Sequence, residues 1–157
     1  MKCLYCYKKL ESGQVDFHPA CSRKLFGKPT APLLPYTEEQ VPELGEQVIK
    51  SQLAVTGVQP KLSLNIEKPG KQKEGQKTPQ RFTIVGLWCG YILKPPTKQY
   101  PQLPELEDLT MHLAALAGIA TVPHSLLRMQ RGHLAYITKR IDRNKKQKLH
   151  MEDMCQL

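Results

Sequence analysis

Residues 91–117, YILKPPTKQYPQLPELEDLTMHLAALA, hold a short apolar strand followed by the clearest helix pattern of the chain. The strand is predicted over Tyr91–Lys94 and ends in a lysine. The helix is predicted over residues 104–117, because Pro104 suits a first turn and Gly118 is a natural stop. Its leucines recur at helical spacing and predict one apolar stripe against the core: Leu106, Leu109, Leu113 and Leu116.

Strand patterns flank this pair on both sides. Leu62, Leu64 and Ile66 alternate with polar residues, which is the period of a half-buried strand. Further strands are predicted around Leu53 and Val55 and over three later ranges: Arg81–Leu87, Leu126–Met129 and Leu134–Ile141. The order predicts an α+β fold, a twisted antiparallel sheet with one helix. The small lobe of a protein kinase has this layout, as do other α+β folds.

The composition divides the chain into three parts. Residues 1–27 are a compact start that contains three of the five cysteines, and residues 28–45 contain four of the thirteen prolines. Because proline fixes φ and removes a donor, the second part is predicted to be an extended linker. Residues 46–157 form the main domain, in which the polar stretch 68–81 is predicted to be a solvated loop and 142–148 a charged connector.

The overall charge and apolar content exclude several classes of protein. The 23 Lys and Arg residues against 14 Asp and Glu give a net charge of +9, which favours phosphate-bearing partners. No apolar run approaches the ~18 residues of a membrane-spanning helix. The first ten residues lack the apolar core of a secretory signal. The number of cysteines, five, is odd, so they cannot all pair in disulfides within the chain. We therefore expect a cytoplasmic protein without a membrane or a disulfide framework.

The N-terminal cysteines have the spacing of a structural zinc site. Cys3-x2-Cys6 is followed, after eleven residues, by His18-x2-Cys21. Zn²⁺ binds four nitrogen or sulfur ligands as a tetrahedron, and each close pair supplies one edge of it. The neighbouring basic residues are predicted to favour thiolates: Lys8, Lys9, Arg23 and Lys24. Four protein ligands leave no open position, so the predicted role is structural. The alternative is three unrelated thiols and a surface histidine.

Two further features predict phosphate binding. A glycine-containing turn with a hydroxyl residue, Thr56-Gly57-Val58-Gln59-Pro60, precedes Lys61, and backbone N–H groups in such a turn can hold phosphates. Lys94 ends a strand and Glu107 lies one turn into the helix, as in kinases that hold nucleotide phosphates with such a lysine. The alternatives are an ordinary hairpin turn, a lysine that extends to solvent and a glutamate that only complements the helix dipole.

Several segments together resemble the HipA-like Ser/Thr kinases of bacterial toxin–antitoxin systems. They occur in the order of the family, over about residues 50–157: Thr56–Leu62, Tyr91–Pro95, Leu103–Glu107, Leu113–Gly118, Val122–Pro123, Arg140–Arg143 and Glu152–Gln156. The Cys/His start resembles N-terminal modules of some members. The chain is similar to the split, HipT-like members, which lack the larger N-terminal subdomain.

The resemblance implies a nucleotide site. Its phosphate loop would contain Thr56, Gly57, Val58, Gln59 and Lys61. Lys94 would bind the phosphates of ATP with Glu107 as its partner, and Lys139 to Ile141 would form the hinge that offers backbone groups to adenine. Arg140, Asp142 and Arg143 would lie at the junction of the lobes. Two departures stand out, because Ala54 and Thr56 replace the family's phosphorylated serines and Lys139 replaces an acidic hinge residue.

The resemblance also implies what lies outside the chain. The catalytic aspartate and the Mg²⁺ ligands come from the large lobe, which would begin near His150, so no catalytic residue is expected here. The chain ends at Leu157 within a recognisable motif, and we expect little phosphoryl transfer from it alone. Implied partners are ATP with Mg²⁺, a large lobe in cis or in trans, a DNA-binding antitoxin, and a protein substrate such as an aminoacyl-tRNA synthetase.

Two other functions remain open from the residues alone. The positive charge and the zinc pattern would suit a nucleic-acid-binding protein without enzymatic activity. Its candidate stacking aromatics in the main domain are Phe82, Trp88, Tyr91 and Tyr136. The chain could also be a regulatory partner that binds a separately encoded kinase lobe.

Overall fold

The structure, a computed structural model, describes residues 1–37, 39–40, 61–67, 79–84, 89–144 and 147–149. Within these ranges the α-helices are α1 (Pro19–Phe26) and α2 (Leu103–Leu116). The strands are β1 (Leu62–Ile66), β2 (Phe82–Ile84), β3 (Tyr91–Lys94), β4 (His124–Arg128), β5 (Leu134–Lys139), β6 (Arg143–Asn144) and β7 (Gln147–Lys148). No helix in these ranges is long and apolar enough to cross a membrane.

Strands β1 to β5 form an antiparallel sheet in the order β2-β1-β3-β5-β4. The central strand β3 pairs Leu64 of β1 with Tyr91 and Ile137 of β5 with Leu93. Helix α2 packs on β4 and β5. The predicted α+β class, with an antiparallel sheet and a helix packed on it, is confirmed and is compatible with a kinase-like small lobe.

Several predicted elements have the expected bounds in the structure. Strand β3 spans the predicted residues, and α2 differs from its predicted range by one residue at each end. The hairpin between β4 and β5 closes where the N–H of Met129 donates to the carbonyl of His133 at 2.8 Å, and Gly132 supplies the required positive φ of 97°. The 142–148 connector was incompletely predicted, since it contains the hairpin β6–β7.

Other predictions fall on residues that the structure does not describe. These are the strand around Leu53, the turn at residues 56–60, most of the 68–81 loop, the end of the strand predicted to Leu87, and the helical start at His150.

The predicted orientation of α2 is wrong. The stripe leucines face solvent, with exposed fractions of 59% for Leu106, 48% for Leu109, 56% for Leu113 and 85% for Leu116. The face that packs inward carries Pro104 and Asp108, both fully buried. A buried carboxylate is tolerated because it is hydrogen-bonded, and Asp108 finds its partners only in the folded chain.

The N-terminal residues and the sheet share one hydrophobic core. Leu4, Leu25 and Phe26 belong to the same buried cluster as the sheet residues Phe82 and Tyr91. The ring of Phe26 lies 5.9 Å from that of Phe82 and 6.0 Å from that of Tyr91, and the Tyr91 hydroxyl donates to the Leu25 carbonyl at 3.0 Å. Helix α1 is therefore held against the sheet.

The proline-containing segment after α1 follows the outer side of β2. The N–H of Leu33 donates to the carbonyl of Gln80 at 2.9 Å, and the N–H of Phe82 donates to the carbonyl of Leu33 at 2.8 Å. Leu34 is buried, and the Tyr36 hydroxyl accepts a hydrogen bond from the N–H of Ile84. The three-part division at residues 27 and 45 stays a prediction.

Candidate metal centre and nucleotide site

The four predicted metal ligands converge near the N-terminus. One ligand atom from each of Cys3, Cys6, His18 and Cys21 lies within 4.8 Å of all the others. The Nδ1 atom of His18 is 3.5 Å from the Cys6 sulfur and 3.8 Å from the Cys21 sulfur. In a tetrahedral site, zinc distances of about 2.3 Å to sulfur and 2.1 Å to nitrogen require an S···N separation of about 3.6 Å. The residues therefore fit a zinc ion.

A tight turn and a helix start bring these ligands together. The N–H of Cys3 donates to Lys8 and the N–H of Tyr7 donates to Cys3, each at 2.9 Å, which folds the first cysteine pair into a turn. Tyr7 has a φ of 58°, an uncommon conformation for a bulky residue. His18 is the N-cap of α1, and Cys21 lies in the first turn of that helix. The backbone therefore fixes the positions of both ligand pairs, Cys3 with Cys6 and His18 with Cys21.

Hydrogen bonds affect the protonation of the ligand atoms of His18 and Cys3. The Nε2 atom of His18 lies 3.0 Å from the Lys9 carbonyl; a proton there leaves Nδ1 free to bind a metal. Burial raises the pKa of the Cys3 thiol, but backbone N–H groups of His18, Tyr5 and Cys6 outweigh it and lower that pKa to about 7. Burial, followed by the neighbouring thiols, raises the pKa of Cys21 to about 12. A cation would relieve this crowding of thiols.

The basic residues predicted to favour thiolates are not the cause of the lowered Cys3 pKa. All four are exposed: Lys8, Lys9, Arg23 and Lys24. The cause is backbone geometry, which the residue types alone do not reveal.

Lys94 and Glu107 form a partly buried ion pair. The Lys94 ammonium bonds to Oε1 of Glu107, and their side chains are only 23% and 24% exposed. The Lys94 ammonium also lies 5.5 Å from the centre of the Tyr136 ring, which is buried in β5. Lys94 therefore does not simply extend to solvent, and Glu107 does more than complement the helix dipole. Phosphate binding by Lys94 stays a prediction.

The remaining residues of the implied nucleotide site are only partly described. Thr56, Gly57, Val58 and Gln59 lie outside the described residues, and Lys61 immediately precedes β1. At the predicted hinge, the N–H of Lys139 donates to Pro123 at 2.9 Å and the N–H of Arg140 donates to Gly90 at 2.8 Å. These two N–H groups are already used within the protein. Adenine would have to bind carbonyl groups of this segment or the backbone of Ile141.

A buried ion pair joins the predicted hinge to the residue that follows it. The Arg140 guanidinium donates to both carboxylate oxygens of Asp142, at 2.8 and 2.6 Å, and its third contact is the Cys89 sulfur at 3.2 Å. The Asp142 carboxylate raises the pKa of Arg140 further above its ordinary value, although burial opposes this. The pair fixes the chain where it leaves β5.

A known domain family matches most of the region that contains these features. The sequence profile of the HipA-like C-terminal domain matches residues 53–157. The chain belongs to the family of HipA-like C-terminal domains. A Haemophilus influenzae protein described as "Putative kinase" is 30% identical to the chain over 128 residues, which are 78% of this chain and 34% of that protein. The chain thus spans about a third of the length of this relative.

Tyr7 and three residues of the HipA-like region form a polar cluster that the sequence did not predict. The Tyr7 hydroxyl donates to Oδ2 of Asp108, and Nδ1 of His124 lies 2.7 Å from Oδ1. The Nε2 atom of His112 is 3.4 Å from Oδ2. Asp108 and His112 lie four residues apart on α2, beside the leucine stripe, and that spacing was the available signal. Tyr7 is remote in sequence, so no local pattern could add it.

The same structure weakens the nucleic-acid alternative. Of the candidate stacking aromatics in the HipA-like domain, Phe82 is fully buried, Tyr136 is 1% exposed and Tyr91 is 7% exposed. Rings inside the core cannot stack on bases. Trp88 lies outside the described residues.

Proposed function

We propose that residues 53–157 are the ATP-binding portion of a HipA-like serine/threonine protein kinase. The observation that carries this proposal is the Lys94–Glu107 ion pair, which lies within the family-matched region. A strand lysine that is paired with a helix glutamate is the arrangement with which kinases hold the α- and β-phosphates of ATP.

The chemistry of the pair suits this role. A lysine ammonium has three donor hydrogens, and Glu107 occupies one of them. Two donors remain for phosphate oxygens, and the position of the ammonium is fixed beforehand by Glu107 and by the ring of Tyr136. A fixed, partly buried cation binds phosphate without first losing the freedom of a surface lysine.

Phosphoryl transfer would need groups from a large lobe, in cis or in trans. A kinase uses an aspartate to orient the attacking hydroxyl and further ligands to hold Mg²⁺. By its resemblance to the HipA-like toxins, the complete protein would phosphorylate a protein such as an aminoacyl-tRNA synthetase in the cytoplasm and would be inhibited by a DNA-binding antitoxin.

We further propose that Cys3, Cys6, His18 and Cys21 hold one structural Zn²⁺. The distances between the ligand atoms and the hydrogen bond at His18 Nε2 support this assignment. Four protein ligands complete the tetrahedron, so the ion would cross-link the turn and helix α1.

ATP affinity tests the nucleotide site. Titration calorimetry with Mg-ATP should show binding to the chain, and Lys94→Met should weaken it about tenfold or more, since charge-assisted hydrogen bonds are lost. Lys98→Met is the matched control, because Lys98 is an exposed lysine four residues further along. Equal affinities of the two variants would contradict the proposal.

Phosphoryl transfer separates binding from catalysis. With radiolabelled ATP, the chain alone should transfer little phosphate, and the chain joined to a large lobe should transfer it in a Lys94-dependent manner. Strong Lys94-dependent phosphorylation by residues 1–157 alone would contradict the proposal that phosphoryl transfer needs groups from a large lobe.

A further inference from the structure

The Asp108 carboxylate connects three separate parts of the chain. It is fully buried in α2, and its oxygens contact Tyr7 from the N-terminal turn and His124 from β4. A buried carboxylate is costly unless its oxygens are hydrogen-bonded. Tyr7 therefore contributes to the position of α2, although the two lie about a hundred residues apart in sequence.

This connection reaches the Lys94–Glu107 pair along two routes. Asp108 directly follows Glu107 in α2. In addition, a continuous series of rings begins at Tyr7. Its successive centres are separated by 4.9 Å from Tyr7 to His112, 4.7 Å from His112 to His124 and 5.9 Å from His124 to Tyr136. The last ring lies 5.5 Å from the Lys94 ammonium.

The turn that contains Cys3 and Cys6 fixes the position of Tyr7, where both routes begin. Tyr7 directly follows Cys6, and its N–H donates to the Cys3 carbonyl. Its left-handed φ of 58° is unfavourable for a tyrosine and persists only where the surroundings determine it. A metal bound by Cys3 and Cys6 would hold this turn and would thereby aim the Tyr7 hydroxyl at Asp108.

We propose that Tyr7 is a positioning residue through which the metal-bound N-terminal turn holds α2, so that Glu107 stays paired with Lys94. This inference rests on the proposed role of Lys94 and Glu107 in ATP binding. It gives the N-terminal module a function beyond its own folding, because metal occupancy at the cysteines then sets the affinity for ATP.

The cluster itself could also be considered a cation site. Asp108, His112 and His124 are ligand types that divalent metals accept, and their atoms lie within 4.8 Å of one another. Both carboxylate oxygens, however, already receive hydrogen bonds, from Tyr7 and His124. The Asp108 carboxylate is thus satisfied by hydrogen bonds, and a metal would have to displace both donors. The buried Nε2 atom of His112 has no hydrogen-bond partner among the residues that the structure describes.

The test removes only the Tyr7 hydroxyl. Tyr7→Phe should keep one equivalent of zinc and should bind Mg-ATP about three- to tenfold more weakly than the unchanged chain. Tyr5→Phe is the matched control, since it removes a hydroxyl from the same turn that makes no bond to Asp108, and it should bind ATP as the unchanged chain does. Equal ATP affinities of the Tyr7 and Tyr5 variants would overturn the inference. A second zinc equivalent that is lost in His112→Ala would also overturn it.

A double-mutant cycle shows whether Tyr7 acts through Glu107. If it does, Tyr7→Phe should weaken ATP binding much less in a Glu107→Gln background, whereas a merely structural effect would add fully in both backgrounds. The same cycle, measured by urea unfolding without nucleotide, should show coupling even if the chain fails to bind ATP. If Tyr7 and Glu107 are coupled in the unfolding cycle but the chain does not bind ATP, only the proposed function is refuted. Additive effects in the unfolding cycle would refute the positioning role.

Discussion

The Arg128 guanidinium binds the Asp16 carboxylate as a fork and joins strand β4 to the segment that leads into His18. Its Nε lies 3.0 Å from Oδ1 and 3.1 Å from Oδ2, and its Nη2 lies 2.8 Å from Oδ1. The backbone of Asp16 is also held, because its carbonyl accepts the N–H of Leu4 at 2.8 Å. The metal-ligand segment and the sheet are thus connected by charge as well as by apolar packing.

The loss of this fork should destabilise the protein. We expect Arg128→Met to lower the free energy of unfolding by about 1–2 kcal/mol, because a partly buried, bidentate pair is lost. Urea unfolding measures the change. Arg131→Met is the control, since Arg131 and Glu39 pair at the surface, where an ion pair contributes about 0–1 kcal/mol. Equal effects would show that the Asp16 fork contributes no more than a surface pair.

Metal analysis should find one zinc per chain. Protein purified without added metal should contain one equivalent, and Cys21→Ser should lose most of it and lower Tm by about 5 °C or more. Cys89→Ala should retain the metal, because Cys89 lies outside the ligand cluster. Less than about half an equivalent, with unchanged folding in a chelator, would contradict the assignment.

Zinc affinity should fall as the pH falls. The metal binds thiolates, so each thiol that is protonated in the free protein must release a proton. The pKa of Cys21 is about 12 without metal, so this thiol releases a proton throughout the neutral range, and Cys3 adds a second below its pKa of about 7. The affinity should therefore fall at least about tenfold per pH unit above pH 7 and at least about a hundredfold per pH unit below it. Competition with a chromophoric chelator between about pH 6 and 8 measures the slope; a flat profile would contradict the release of a proton from Cys21 on metal binding.

The exposed leucine stripe gives a fourth prediction. Leu113→Gln should change the free energy of unfolding by less than about 0.5 kcal/mol, since Leu113 is 56% exposed. Leu93→Ala, at a fully buried position of β3, should cost about 2–5 kcal/mol. A large loss for Leu113→Gln in urea unfolding would place the stripe against the core after all.

The sequence predicts the elements of this fold better than their orientations. The bounds of β3 and α2 follow from local patterns: a short apolar run, Pro104 at the start of the helix and Gly118 after it. The packed face of α2 does not follow, because helical periodicity identifies an apolar stripe but not what covers it. The sequence alone would place Asp108 at the surface, because its hydrogen-bond partners Tyr7 and His124 are remote from it in the chain.

The candidate metal and nucleotide sites also differ in how far the sequence could predict them. The spacing of Cys3, Cys6, His18 and Cys21 was sufficient to predict their convergence, since close pairs on a short loop have few ways to arrange four ligands. The Lys94–Glu107 contact needed the resemblance to a kinase family as well as the residues. The connection through Tyr7 could not be predicted, because it depends on how the N-terminal segment packs on a helix far along the chain.

The N-terminal segment also contacts both outer strands of the sheet. Among the described residues, β2 and β4 are the outermost strands in the order of the sheet. Leu33 exchanges backbone hydrogen bonds beside β2, and the Leu4 carbonyl accepts the N–H of Leu126 in β4 at 3.4 Å. Unpaired strand edges recruit strands from other molecules and promote aggregation. Within the part of the chain that the structure describes, the segment before residue 38 therefore occupies backbone groups at two such edges, and removing it would leave those groups of β2 and β4 without these bonds.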